Sequence, residues 1–329
     1  MLGPPSMRTT TMGIFAITLA AAACMPTQLP YDDDSTNNDK CEHKREDVVI
    51  SSRDDVLDLP DSCFTVSQNT VTIEASELTN LQDLKNLREV GRLVIKSNPF
   101  LETTEGLKDL RVLSELRVED NAELFELPGF TGTQVLDRIY LIDNPHLAHL
   151  TGLANVKVIK GEFAIQGETN LGDLVNAWGG SESMSLLEGI GNFKLLNTKG
   201  LTTSGVQLLK TVATDILIQG NQDLVSLGEL KLLSDVGGHF TIQDNPNLEH
   251  LNAFTLKFQT VGGTLTISHN DKLDSVFDMQ WIYKVGGSLI VTYNPQLSKC
   301  RAEKMDETVV EVGGDVDIGD NSPSYDPCE

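Results

Sequence analysis

The sequence predicts an all-β solenoid, a parallel β-helix of about ten coils with about 24 residues in each. Three observations carry that expectation. A motif of the form apolar-x-apolar-x-x-Asn-x-x-Leu recurs along the chain, clearest in Phe240 to Leu248, Leu265 to Leu273 and Leu289 to Leu297. Its centres are Asn98, Asn121, Asn144, Asn221, Asn245, Asn270, Asn294 and Asn321, with degenerate copies at Glu168 and Asn192, and they lie 23 to 29 residues apart. A Val-Gly-Gly step precedes the later strands, at Val236, Val261, Val285 and Val312. Because the motif alternates with period two and is broken by paired glycines, a helical repeat is excluded.

Each part of the unit has a physical task. The apolar-x-apolar segment is a short strand with alternate residues inward. The glycines are expected to permit a corner with backbone torsions closed to other residues. The asparagine turns inward at the strand end and satisfies backbone groups of the adjoining coil, so that stacked copies form a ladder. Apolar residues then fall every third position, at Leu147, Leu150, Leu153 and Val156, and again at Leu224, Leu227, Leu230 and Leu233. A possible entry copy, Val71 to Ser76, precedes the first centre. The stretch from Gly172 to Thr214 departs from the pattern, which leaves open a junction of two halves there. Stacked at about 4.8 Å, ten coils make a rod roughly 50 Å long.

Leucine falls three positions after the asparagine in Asn98-Pro-Phe-Leu101, Asn144-Pro-His-Leu147, Asn245-Pro-Asn-Leu248 and Asn294-Pro-Gln-Leu297. With Val-Gly-Gly-x-Leu-x-Ile, this pattern resembles the receptor L-domain repeat of insulin- and EGF-type receptors, over about Val71 to Asn321. The resemblance implies a right-handed parallel β-helix with capped ends. It also implies recognition of a protein or glycan by the broad sheet.

At the front, Arg8 precedes a twelve-residue apolar run from Met12 to Ala23, too short to span a bilayer and typical of an export signal. The segment Leu19-Ala-Ala-Ala-Ala-Cys24 resembles the lipobox of bacterial lipoproteins, in which the cysteine becomes the lipid-modified first residue. Ala21-x-Ala23 also suits an ordinary signal peptidase, which would leave the chain secreted. Residues 1–23 are thus expected to be a signal peptide and 24–40, rich in aspartate and asparagine, a flexible acidic tether. The solenoid is assigned to 41–329. Met25 after Cys24 favours the outer membrane, so the expected location is the cell envelope.

Five cysteines is an odd count. With Cys24 given to lipid, an even set remains: Cys41, Cys63, Cys300 and Cys328. Cys300 and Cys328 occupy nearly the same slot on successive coils, within disulfide reach. Cys41 and Cys63 are also about one coil apart. Both pairs are expected to be disulfides that cap the two ends of the rod, where strand edges and core would otherwise be exposed.

Composition and motifs narrow the chemistry. The formal charge of −23 is the wrong sign for a nucleic-acid binder and for electrostatic docking on anionic lipid, so the membrane is reached only through the anchor. No phosphate-binding glycine loop, dinucleotide fingerprint or nucleophile elbow occurs in a fitting context. His146 and His149 lie in a turn, and His149 and His250 share a slot about four coils apart, so neither pair forms a metal site. Glu119, Asp120 and Asp143 stack on neighbouring coils; calcium binding or acid–base work by them is weighed against solvated surface, and the latter is the expectation. No cofactor and no metal is expected.

Outward strand positions, one per coil, give Val94, Arg117, Tyr140, Ala164, Leu217, Thr241, Thr266, Ile290 and Asp317. Of these, Val94, Arg117, Tyr140, Leu217 and Ile290 form the candidate ligand face. The expected function is a non-enzymatic binding or adhesion module for a protein or glycan at the cell surface. The alternatives are a structural envelope spacer with no dedicated ligand and a β-helix polysaccharide-processing enzyme.

Overall fold

The structure is a computed structural model that describes residues 41–323 apart from 131, 178–186, 188, 204–208, 229–232, 252–257 and 280. The chain forms a parallel β-solenoid of about ten turns with about 24 residues per turn. Three sides make up each coil. The main side carries the apolar-x-apolar strands, paired residue for residue: Ile216–Gln219 with Phe240–Gln243, then Leu265–Ser268, then Leu289–Thr292. A second side holds two-residue strands at the Val-Gly-Gly step, such as Asp235–Val236, Thr260–Val261 and Lys284–Val285. The third side is mostly turns, tied by isolated bridges from Thr103 to Glu126 to His149 and from Ser226 to His250 to Ser275.

Stacked apolar side chains fill the interior. Leu93, Leu116, Ile139, Phe163, Phe193, Ile216, Phe240, Leu265 and Leu289 form one buried column, and Leu101, Leu124, Leu147, Leu224, Leu248, Leu273 and Leu297 form another. No coil could bury these residues alone, so each coil depends on its neighbours. The asparagine ladder runs beside them. Asn98 Nδ2 donates to Ile73 O of the preceding coil (3.0 Å), to Lys96 O of its own (2.9 Å) and to Asn121 Oδ1 of the next (2.8 Å). Its own Oδ1 accepts from the Ala75 backbone at 2.8 Å. The same set repeats at Asn245 and Asn270.

Two expectations about the repeat are corrected. The glycines of Val-Gly-Gly are not in the left-handed region; among the described residues the positive-φ glycines lie elsewhere. They are glycines because the backbones stack: a Cβ on Gly262 would run into Gly237 O, and one on Gly286 into Gly262 O. Positive φ belongs instead to the residue before the ladder position, in Ser97, Asp120, Asp143, Asn197, Gly220, Asp244, His269, Tyr293 and Asp320, and to Gly167, two residues before Thr169. The second correction concerns the degenerate centres. Glu168 is exposed and the adjacent Thr169 takes the buried slot opposite Asn144. Asn192 lies at the Val-Gly-Gly corner, and the ladder position of its coil is Thr198, whose N–H and Oγ1 both donate to Asn221 Oδ1. The long interval therefore falls between 169 and 198, where strands Val158–Asp173 and Gly189–Thr203 flank a short helix, Leu174–Ala177. Strand Val158–Asp173 pairs with Gly189–Thr203 through several register shifts, and Gly189–Thr203 pairs in turn with Ile216–Gln219.

At the front, the structure has a coil that precedes the entry copy. Val48–Ile50 pairs with Val71–Ile73, and Glu42–His43 pairs with Phe64–Thr65. A disulfide joins Cys41 to Cys63 there, with Cα atoms 4.8 Å apart. A short helix, Arg53–Leu57, follows, opened by a capping box of Ser52 and Asp55. Near the other end, helix Lys299–Thr308 replaces the third-side turn and lengthens the last interval. Cys300, in its first turn, is disulfide-bonded; Cys328, the partner expected for it, lies outside the described residues, as does Cys24.

Candidate functional site

Outward residues of the main side form a single column that the pairing register fixes rank by rank. Thr72 stands beside Val94, then Arg117, Tyr140 and Ala164. Lys194, Leu217, Thr241, Thr266, Ile290 and Asp317 continue it. The five candidate ligand residues thus share one face, and all five are half-buried. Their neighbours explain the burial: a side chain on a parallel sheet touches the next rank about 4.8 Å away and is covered from both sides.

Sequence reasoning missed Lys194. With the coil centred on Asn192, its strand was shifted out of register and contributed nothing to the column. The signal was present in Phe193-Lys-Leu-Leu-Asn-Thr198, where Asn197 takes the left-handed slot before a ladder threonine.

The face divides into two chemical halves. From Val94 to Lys194 it is a lattice of charges around one aromatic ring. The Arg117 guanidinium lies 5.3 Å from the centroid of the Tyr140 ring and also pairs with Glu119 at 2.6 Å. Arg92 and Arg138 each stand 3.6 Å from Glu115. Lys194 pairs with Glu162, which accepts a further bond from Asn192 Nδ2 at 3.1 Å. Asn192 Oδ1 is the one buried side-chain oxygen or nitrogen among the described residues without a partner. Burial first, and the Glu162 carboxylate second, push the Tyr140 hydroxyl above the usual tyrosine range.

From Leu217 to Ile290 the face is neutral. Leu217, Thr241, Thr266 and Ile290 are flanked by Gln219, Gln243, Ser268 and Thr292, and the strands pair here without irregularity. Gln219 and Gln243 both donate to Asp244 Oδ2 at 3.2 Å. At the adjoining corner the His269 and Tyr293 rings stack with centroids 4.8 Å apart. A hydrogen bond to Asp320 raises the Tyr293 pKa.

The other sequence candidates separate. Glu119 is held by Arg117, and Asp120 accepts a bond from Ser97 Oγ at 3.3 Å. Asp143 follows Asp120 on the next coil, in the same left-handed slot. Among the described residues no group of three His, Cys, Asp or Glu side chains is placed to hold a metal ion. His146 donates to Ala122 O at 2.7 Å, His149 packs edge-on against Phe125, and His250 stands 3.4 Å from Asp274. Comparison with protein-family models, with curated proteins and with solved structures gave no match in any of the three.

Proposed function

We propose that the chain is a non-catalytic binding or adhesion module of the bacterial cell surface, held by lipid on Cys24 and recognising a protein or glycan through the main sheet face. The observation that carries this reading is the outward column itself. Inward positions repeat the same few apolar residues coil after coil, as packing demands. Outward positions of the same strands change at nearly every rank and place Arg117, Tyr140, Lys194, Leu217 and Ile290 in one line. A spacer needs no such variation, whereas a recognition surface consists of it. The L-domain resemblance supports the same use of the sheet, and the lipobox resemblance supports the anchor.

The test is a binding screen with the chain from Cys41 onward, which contains the whole described structure, against arrays of glycans and of surface proteins. A saturable partner whose affinity drops about tenfold or more on Tyr140→Ala or Leu217→Ala supports the proposal. Binding that ignores both changes rejects the face. For the anchor, Cys24→Ser releases the full chain from membranes; retention in the membrane fraction rejects lipid on that residue.

A further inference from the structure

Among the described residues the third side of the solenoid carries an open groove of roughly 530 Å³ that runs from the coil of Asn98 across those of Asn121 and Asn144 to Asn170 on the next. We infer that this groove receives lysine or arginine side chains from an extended segment of a protein partner. The inference is independent of the sheet-face reading, since the groove lies on another side of the coil.

Backbone bonds order its walls. Phe125 N donates to Glu102 O one coil before, and Ala148 N donates to Phe125 O one coil after, both at 2.9 Å. Thr103, Glu126 and His149 form the adjoining row of bridges. Phe125 therefore stands in the middle coil with Glu102 on the preceding rank and Glu126 next in sequence. Its ring is held edge-on by His149 at 5.0 Å and remains 48% exposed. Among the described phenylalanines, Phe64, Phe130, Phe163, Phe193, Phe240 and Phe258 are buried, while Phe100, Phe125 and Phe277 are exposed. Phe100 and Phe125 stand on consecutive coils of this same side.

Several carboxylates on the other sides of these coils are held by cations. Glu74, Glu89, Glu115 and Glu162 each pair with a lysine or arginine. Glu102, Glu123 and Glu126 pair with none of the described lysines or arginines; Glu126 accepts a bond from Thr103 at 3.2 Å, and Glu123 stands 3.7 Å from His146. The walls thus set the exposed Phe125 ring among glutamates that no described lysine or arginine neutralises. A long cationic side chain satisfies both, its alkyl stem against Phe125 and its charged head against the glutamates. An anionic or neutral sugar leaves the charges unanswered, and a divalent ion finds no three suitable ligands together. Three coil spacings are about 14 Å, the length of about four extended residues, whose alternate side chains point the same way.

The probe is a fluorescein-labelled Lys-Ser-Lys-Ser-Lys peptide, titrated by fluorescence anisotropy at low salt. The groove variant changes Glu102, Glu123 and Glu126 to Gln. A control with the same change in charge replaces the exposed Asp271, Asp306 and Asp315 with Asn. The groove variant is expected to weaken binding at least tenfold more than the control, and Phe125→Ala to weaken it about three- to fivefold. Phe125→Leu, which keeps apolar bulk without the ring, gives the same loss and guards against a folding defect in the alanine variant. Equal weakening by groove and control variants means that net charge alone attracts the peptide, and overturns the proposal. So does full affinity in Phe125→Leu. Tyr140→Ala leaves peptide binding unchanged, so failure of the sheet-face reading and failure of this one are read separately.

Discussion

Tyr140 sits where the charged half of the sheet face is most crowded, and its ionisation reports that crowding. Its pKa is raised, by burial first and by Glu162 next. In the unfolded chain a tyrosine releases its proton near pH 10. Between that value and its higher folded pKa, the folded protein keeps a proton that the unfolded chain has lost. Stability from this residue is therefore complete below about pH 10 and is lost as pH rises through the folded pKa. Tyr140→Phe should flatten part of the alkaline loss, measured as urea midpoints from pH 8 to pH 11. Identical alkaline slopes in the two proteins would remove the case for a perturbed tyrosine on this face.

At the scale of the element, the coil is held by backbone polar groups as much as by leucine. Asn121 donates to Ile95 O, Glu119 O and Asn144 Oδ1, and its Oδ1 accepts from Asn98. Removing that side chain strands several buried partners, each costing about 1–3 kcal/mol before relaxation. Asn121→Ala is thus predicted to lose about 3 kcal/mol in urea denaturation, against a few tenths for the outlying Asn247→Ala. Equal losses at the two sites would show that the ladder contributes nothing to stability. Most of this coil was legible in the sequence, because strand alternation, ladder asparagines and stacked glycines each leave a residue type at a fixed spacing. The glycine step was legible as a position but not as a cause, since close approach of stacked backbones and a left-handed torsion both call for glycine. The front coil at Val48–Ile50 escaped notice, and the coil of Thr198 was centred on Asn192, because neither has an asparagine in the ladder slot. Threonine fills the latter slot with one hydroxyl and one backbone donor. That substitution displaced a single register and hid Lys194 from the candidate face, although the other ranks from Val94 to Asp317 pair as the spacing implied. The groove beside Phe125 was not legible, because it joins residues of four coils on the side with the weakest periodicity.

Across the whole molecule, the excess of acid is not evenly neutralised. Along the main face, glutamates and cations alternate from rank to rank and largely cancel. On the third side, Glu102, Glu123 and Glu126 pair with none of the described lysines or arginines, and Glu123 stands 3.7 Å from His146. Toward the C-terminal coils, hydroxyl and amide side chains replace charges on the main face. One rod thus presents surfaces of different character to a partner, all fixed by a repeat of about 24 residues. Because each coil is buttressed by its neighbours, these surfaces are preorganised, and binding to them costs little ordering of the backbone. The main face is the widest of them and carries the proposed function. Hydroxyl-radical footprinting of the chain with and without a partner from the array screen tests it most directly. The account predicts that oxidation of Val94, Tyr140, Leu217 and Ile290 falls in the complex while that of Phe277 and Trp281 does not. Protection confined to residues outside the main face, with Tyr140 and Leu217 oxidised as in the free chain, would contradict it.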